Sequence, residues 1–335
     1  LATPRGATQW GDFAWQGFSL QVPEAWNLGR MEGDRYSGYA RLDDPEIVRV
    51  ELEWRTVRTQ ASESVAALVG RYLDSLEKKA GKGGLRFAAR RRVEFLRERR
   101  FLAGADCETF TWEADFRAHN LAWRTPGGRI ALLRLLSRLD ERPSPIIDRV
   151  FASLADHAQD ETWPWSVYGM RFAVPAAFTL ESHKLHSGHL QLTFERGKEQ
   201  LRVQRLSLAK LLLKGATLTE WYPAFFCRDL RDLETEISTG QVGGHPALQV
   251  SGQPRSRWRQ LLRPLPWINP RPRLRLDTRV WLCPDADKIC LVDHLFRQEA
   301  DRGDLAQRLA DGYVCHPQDP QAEPGIDAQL PADAE

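Results

Sequence analysis

"WQGFSLQVPEAWNL" at residues 15–28 and "VYGMRFAVPAAFTL" at residues 167–180 carry one frame, 152 positions apart. Gly17 answers Gly169, Val22 answers Val174, Pro23 answers Pro175, Trp26 answers Phe178 and Leu28 answers Leu180. A chain of 335 residues is long enough for two units that each bury a core. The frame therefore predicts tandem copies of one domain, spanning 10–157 and 163–315.

Outward from the frame, both halves run through the same series. "YSGYARL" and "EIVRVELEW" in the first half answer "SGHLQLTF" and "EQLRVQRLSL" in the second. Val48, Val50, Leu52 and Trp54 alternate, as do Leu201 and Val203 before Arg205 interrupts, so these are strands with one face on a core. A helix follows. Val65, Leu68, Val69, Tyr72, Leu73 and Leu76 form a helical stripe stopped by the glycines from Gly81 on. Its counterpart carries Leu218, Trp221, Tyr222, Phe225 and Phe226, with Thr217 and Glu220 at capping-box spacing. Three more strands and a closing helix complete each half. The expected fold is α+β, two antiparallel sheets flanked by helices, in the order βββαβββα per copy.

The second copy departs from the first at 253–276, "QPRSRWRQLLRPLPWINPRPRLRL", where five prolines exclude a continuous helix or central strand. This insertion has no acidic residue. Arg255, Arg257, Trp258, Arg259, Leu262, Arg263, Trp267, Ile268, Arg271 and Arg273 are its candidate partner-binding residues, because tryptophan and arginine are the usual anchors of protein interfaces. A second basic stretch, 86–100, has seven arginines against two glutamates. Arginines of this kind also fit nucleic-acid phosphate, the alternative reading. "RRRVEFLRERR" itself reads as a half-buried strand.

The net charge of +2 is too small to name a partner. No apolar run reaches the roughly 18 residues of a membrane span. "LATPRGATQWGD" lacks the apolar core of a signal peptide. Five cysteines without disulfide-framework spacing favour a reducing compartment, so a cytoplasmic location is expected. Residues 316–335 hold five acids, four prolines and no lysine or arginine, and read as a disordered tail.

Catalytic chemistry is thin. "AGKGG" at 80–84 ends a helix, whereas a phosphate cradle opens one. Asp293 and His294 are adjacent in a strand, point to opposite faces and have no accompanying nucleophile. His183, His186 and His189 fall on a hairpin rather than one helix face. Cys283, Cys290, Cys315 and His316 are ligand types for zinc, yet their spacing is not that of a zinc knuckle, and Cys290 reads as a core residue. The expectation is a non-catalytic protein with no cofactor and no metal. An enzyme with a pocket between the halves is the remaining alternative.

The Gly-aromatic-x-apolar-x-Val-Pro-x-x-Trp opening and Gly-x-Pro-Ala at 244–247 resemble the PsbP-like group, which includes the extrinsic photosystem subunit, the Ran-binding nuclear-import factor and DcrB-like proteins. The resemblance covers both halves but not the insertion. It implies an antiparallel sheet flanked by helices, docking to other macromolecules, and no catalytic residues. The chain departs from that group in having two copies.

Overall fold

The computed structural model describes residues 8–57, 64–97, 102–141, 144–255 and 274–316. Its first half contains β1 (Trp10–Trp15), β2 (Phe18–Pro23), β3 (Asn27–Gly33), β4 (Ser37–Asp43), β5 (Val48–Thr56) and α1 (Val65–Lys82). There follow β6 (Ala88–Arg91), β7 (Cys107–Glu113), β8 (Arg117–Arg124), β9 (Arg129–Ser137), α2 (Ser144–Ala152) and β10 (Ala155–Asp156). The second half contains β11 (Thr162–Val167), β12 (Met170–Pro175), β13 (Thr179–His186), β14 (His189–Arg196) and β15 (Glu199–Ser207). Short helices α3 (Ala209–Leu213), α4 (Leu218–Phe225) and α5 (Cys227–Leu230) come next. The half closes with β16 (Leu233–Val242), β17 (His245–Pro254), β18 (Arg275–Cys283), β19 (Lys288–Phe296) and α6 (Leu305–Asp311).

Five strands, not three, precede the central helical segment of each half, and four lie between it and the closing helix, with the short β10 after that helix in the first half. The difference begins in the quoted frame. Gln16 and Gly17 sit at φ 50° and 77°, and Tyr168 and Gly169 at 49° and 72°, so each pair makes the two-residue turn of a tight hairpin. Gln-Gly and Tyr-Gly are weak turn signals, which is why the frame reads as a single strand. The basic stretch differs too. Its strand β6 stops at Arg91 because Arg92 turns to φ 55° and leaves the ladder. Phe95 and Leu96 instead pack from irregular backbone, Phe95 edge-on to His119 and Phe151.

Three sheets result. One seven-stranded antiparallel sheet runs β3-β4-β5-β9-β8-β7-β6 and the other β13-β14-β15-β19-β18-β17-β16, the same order in both halves. The third sheet, β10-β2-β1-β11-β12, is shared, since β1 pairs with β11 at Ala14 and Ser166. Trp15 meets Trp165 edge to face at 5.0 Å, and Trp165 meets Phe194 at 4.8 Å. One apolar core therefore runs through the shared sheet and the inner face of both large sheets, taking in Leu52, Leu133, Leu192 and Val292. Burial on this scale is the main favourable term in folding, about 25 cal/mol for each Å² of apolar surface removed from water.

The outer faces are covered separately. Val65, Val69 and Leu73 of α1 pack on Phe110 and Ala122, with Ser64 capping the helix and Gly83 ending it. In the second half Trp221 and Tyr222 of α4 pack on Leu248, Val250, Val280 and Ile289. The capping box of Thr217 and Glu220 is present there. Among the described residues no helix is long and apolar enough to cross a membrane.

Candidate functional site

Of the expected partner-binding residues only Arg255 lies within the described part. Arg257, Trp258, Arg259, Leu262, Arg263, Trp267, Ile268, Arg271 and Arg273 fall in 256–273, outside it, as does the acidic tail from 317 on. Arg255 is exposed at the end of β17, its Nε donating to the Leu233 carbonyl at 3.1 Å. The far side of the insertion re-enters at Arg275, which pairs with Glu299 at 2.8 Å. The stem is thus two adjacent antiparallel strands. In the first half the same connection, between β7 and β8, is residues 114–116.

Arginines in and beside the two basic stretches are committed internally. Arg91 forks onto the buried carboxylate of Glu108 at 2.6 and 2.8 Å. Arg279 is buried between Asp277 and Gln307. Arg86, Arg90 and Arg92 are exposed. His183, His186 and His189 lie on the β13–β14 hairpin, with His183 edge-on to Trp15 and His189 bonded to Gln204. Asp293 and His294 face opposite ways: Asp293 accepts from Thr278 and Gln204, whereas His294 meets Glu199 at 3.1 Å. Burial holds His294 below the usual histidine range.

A different set of polar groups converges where β17 begins, β18 ends and the chain leaves α6. Cys283 Sγ lies 3.3 Å from His316 Nδ1, and Cys315 Sγ lies 3.2 Å from the same nitrogen and 3.3 Å from His245 Nε2. The four donor atoms all lie within 4.8 Å of one another. Both thiols are free and buried. Burial and the hydrogen bond with Cys283 push the Cys315 thiol up to about 11, while burial and neighbouring His316 lower His245. Tertiary structure thus brings three of the four sequence candidates together. The fourth is His245, not Cys290: Cys290 is fully buried, its thiol raised to about 12 by burial and set against Tyr313. His245 precedes Cys315 by 70 residues, and no sequence spacing marks it.

Beside this corner lies a groove of about 590 Å³ lined by residues of both halves. Trp10, Asp12 and Trp26 line one side, and Arg205, Lys288 and His316 the other. Asp12 is paired with Arg171, and Arg205 donates to the Tyr168 carbonyl, so two of its charges already have partners.

No protein family and no curated protein matches the chain. Solved structures that are similar at low scores include the following two. Cyanobacterial PsbP (CyanoP) from Synechocystis sp. PCC 6803 aligns with 47% of this chain and 97% of its own, at 12% identity and a TM-score of 0.33. The immunity protein TplEi of the type VI secretion system of Pseudomonas aeruginosa, solved with an "L" peptide, aligns with 93% of this chain and 99% of its own, at 11% identity and a TM-score of 0.34. The α+β reading rests on this chain's own antiparallel sheets and the helices packed on them.

Proposed function

We propose that the chain is a non-catalytic binding protein made of two copies of one α+β unit, 10–157 and 163–315. It docks on an acidic protein partner through the insertion 253–276. The observation that carries this reading is the β17–β18 connection. The same pair of strands in the first half closes with residues 114–116, so the fold has no need of the longer segment. Its six arginines at 255–273, free of acidic neighbours, supply charge that steers an acidic surface. Trp258 and Trp267 supply burial, worth about 2 kcal/mol or more each at an anchor position.

The test replaces 256–273 by a three-residue turn and, separately, changes Trp258 and Trp267 to Ala. Cross-linking in the native host, followed by purified binding, is expected to give one acidic protein captured by the parent and lost in both variants, with unfolding midpoints unchanged. Capture of that protein by the loop-deleted chain would refute the reading. So would salt-sensitive retention on nucleic acid that replaces protein capture.

A further inference from the structure

We propose that His245, Cys283, Cys315 and His316 form a tetrahedral structural site for one Zn²⁺ ion. Two thiolate sulfurs and two imidazole nitrogens are a usual zinc donor set, at about 2.3 Å for sulfur and about 2.0–2.1 Å for nitrogen. A regular tetrahedron on those bond lengths separates neighbouring donors by about 3.3–3.8 Å. Three of the four sulfur–nitrogen separations here are 3.2–3.3 Å and no two of the four donor atoms are more than 4.8 Å apart, so shifts of about an ångström or less would seat the ion. Four protein donors leave no open position, which makes the site structural and not hydrolytic. The other ring nitrogen of His316, Nε2, lies 3.9 Å from the Asp285 carboxylate, beyond hydrogen-bond distance but near enough for that carboxylate to become the outer partner of a ligating imidazole.

The first half supplies an independent observation. Cys107 and Ala247 each pair with a tryptophan, Trp123 and Trp281, and those tryptophans pair with Ala131 and Cys290. This register sets Ala105 opposite His245 and Thr125 opposite Cys283. Ala155 bridges β2 at Ser19 as Val314 bridges β12 at Arg171, which sets Asp156 opposite Cys315 and His157 opposite His316. In the first half this corner is closed by a buried ion pair, Arg129 with Asp156, and Arg129 also binds the carbonyls of Gln16 and Gly17. In the second half Arg129 gives way to Lys288 and Asp156 to Cys315, so that pair is gone. What stands there instead is four metal-type donors drawn from three separate segments. The zinc ion does for the second half what the ion pair does for the first: it ties the chain after the closing helix to the ends of the sheet. The site adjoins the inter-half groove, which Cys315 and His316 also line, so the ion has a route in.

The experiment uses the full chain, purified without a metal-binding tag under reducing conditions. One zinc per chain is expected by elemental analysis, with X-ray absorption fitting two sulfurs and two nitrogens. Cobalt exchanged for zinc is expected to show the visible bands of a tetrahedral thiolate complex. Cys290→Ser should retain the metal, whereas Cys283→Ser and His245→Ala should lower occupancy at least tenfold. Because those variants could fold poorly, the parent is also stripped with chelator. Zn²⁺ alone should then raise its melting temperature, and should leave that of His245→Ala unmoved. Failure of the reduced parent to hold or take up zinc would overturn the proposal. A Cys283–Cys315 disulfide in freshly isolated protein would overturn it equally, as would metal that stays in Cys283→Ser.

Discussion

Asp156→Asn isolates the tie on which the first half depends. Both partners of the Arg129–Asp156 pair are almost fully buried, with side chains 3% and 0% exposed. Arg129 donates to Gln16 O at 2.7 Å and Gly17 O at 2.9 Å, and its guanidinium lies 3.8 Å above the Phe18 ring. Neutralising Asp156 leaves that guanidinium in place without its counter-charge and weakens the bond from Ala158 N, 2.8 Å at present. Removing one member of a buried pair costs about 3–5 kcal/mol, because the remaining charge stays desolvated. The assay is guanidinium chloride unfolding followed by tryptophan fluorescence and far-ultraviolet circular dichroism. Glu113→Gln, which breaks the half-exposed Glu113–Arg117 pair, is the control and should cost under about 1 kcal/mol. The double change Arg129→Met with Asp156→Leu should regain much of the loss, since apolar side chains of similar size need no counter-charge. A cost for Asp156→Asn below about 1 kcal/mol would refute the reasoning. The corner would then be held by the backbone alone.

Three further outcomes are expected. Gly17→Ala should cost about 1–3 kcal/mol by equilibrium unfolding, because φ is +77° and the added methyl would meet the Trp163 ring at 3.0 Å; Gly188→Ala, at φ +89° with open space around it, should cost less. Burial lowers His119 to about 4, so the folded chain resists protonation that the unfolded chain accepts near 6.5. Its contribution is full above pH 6.5 and is lost as pH falls towards 4; it amounts to about 1–2 kcal/mol after discounting for its partial exposure, and His119→Phe should flatten that part of the pH–stability curve. Trp165→Ala should cost about 3–5 kcal/mol, and probes in both halves should still report one transition, since its ring joins Trp15 to Phe194; two separated transitions would mean that the shared core does not couple the halves.

Local pattern was enough for much of the architecture. Alternation at Val50, Leu52 and Trp54, the α1 stripe from Val65 to Leu73 and the Thr217–Glu220 box are all set by residues within a few positions of one another, so each can be read along the chain. The hairpin at Gln16–Gly17 was hidden because Gln tolerates a left-handed φ only where flanking strands impose it. The pairing of β1 with β11 joins segments about 150 residues apart, and periodicity carries no information on which of two apolar faces will meet. The Cys/His corner is the sharper case. Cys283, Cys315 and His316 were visible as ligand types, but spacing argued against them and His245 carried no mark at all. Only the shared ends of β17, β18 and α6 bring four donors within 4.8 Å, because sheet register, not sequence distance, decides which side chains become neighbours.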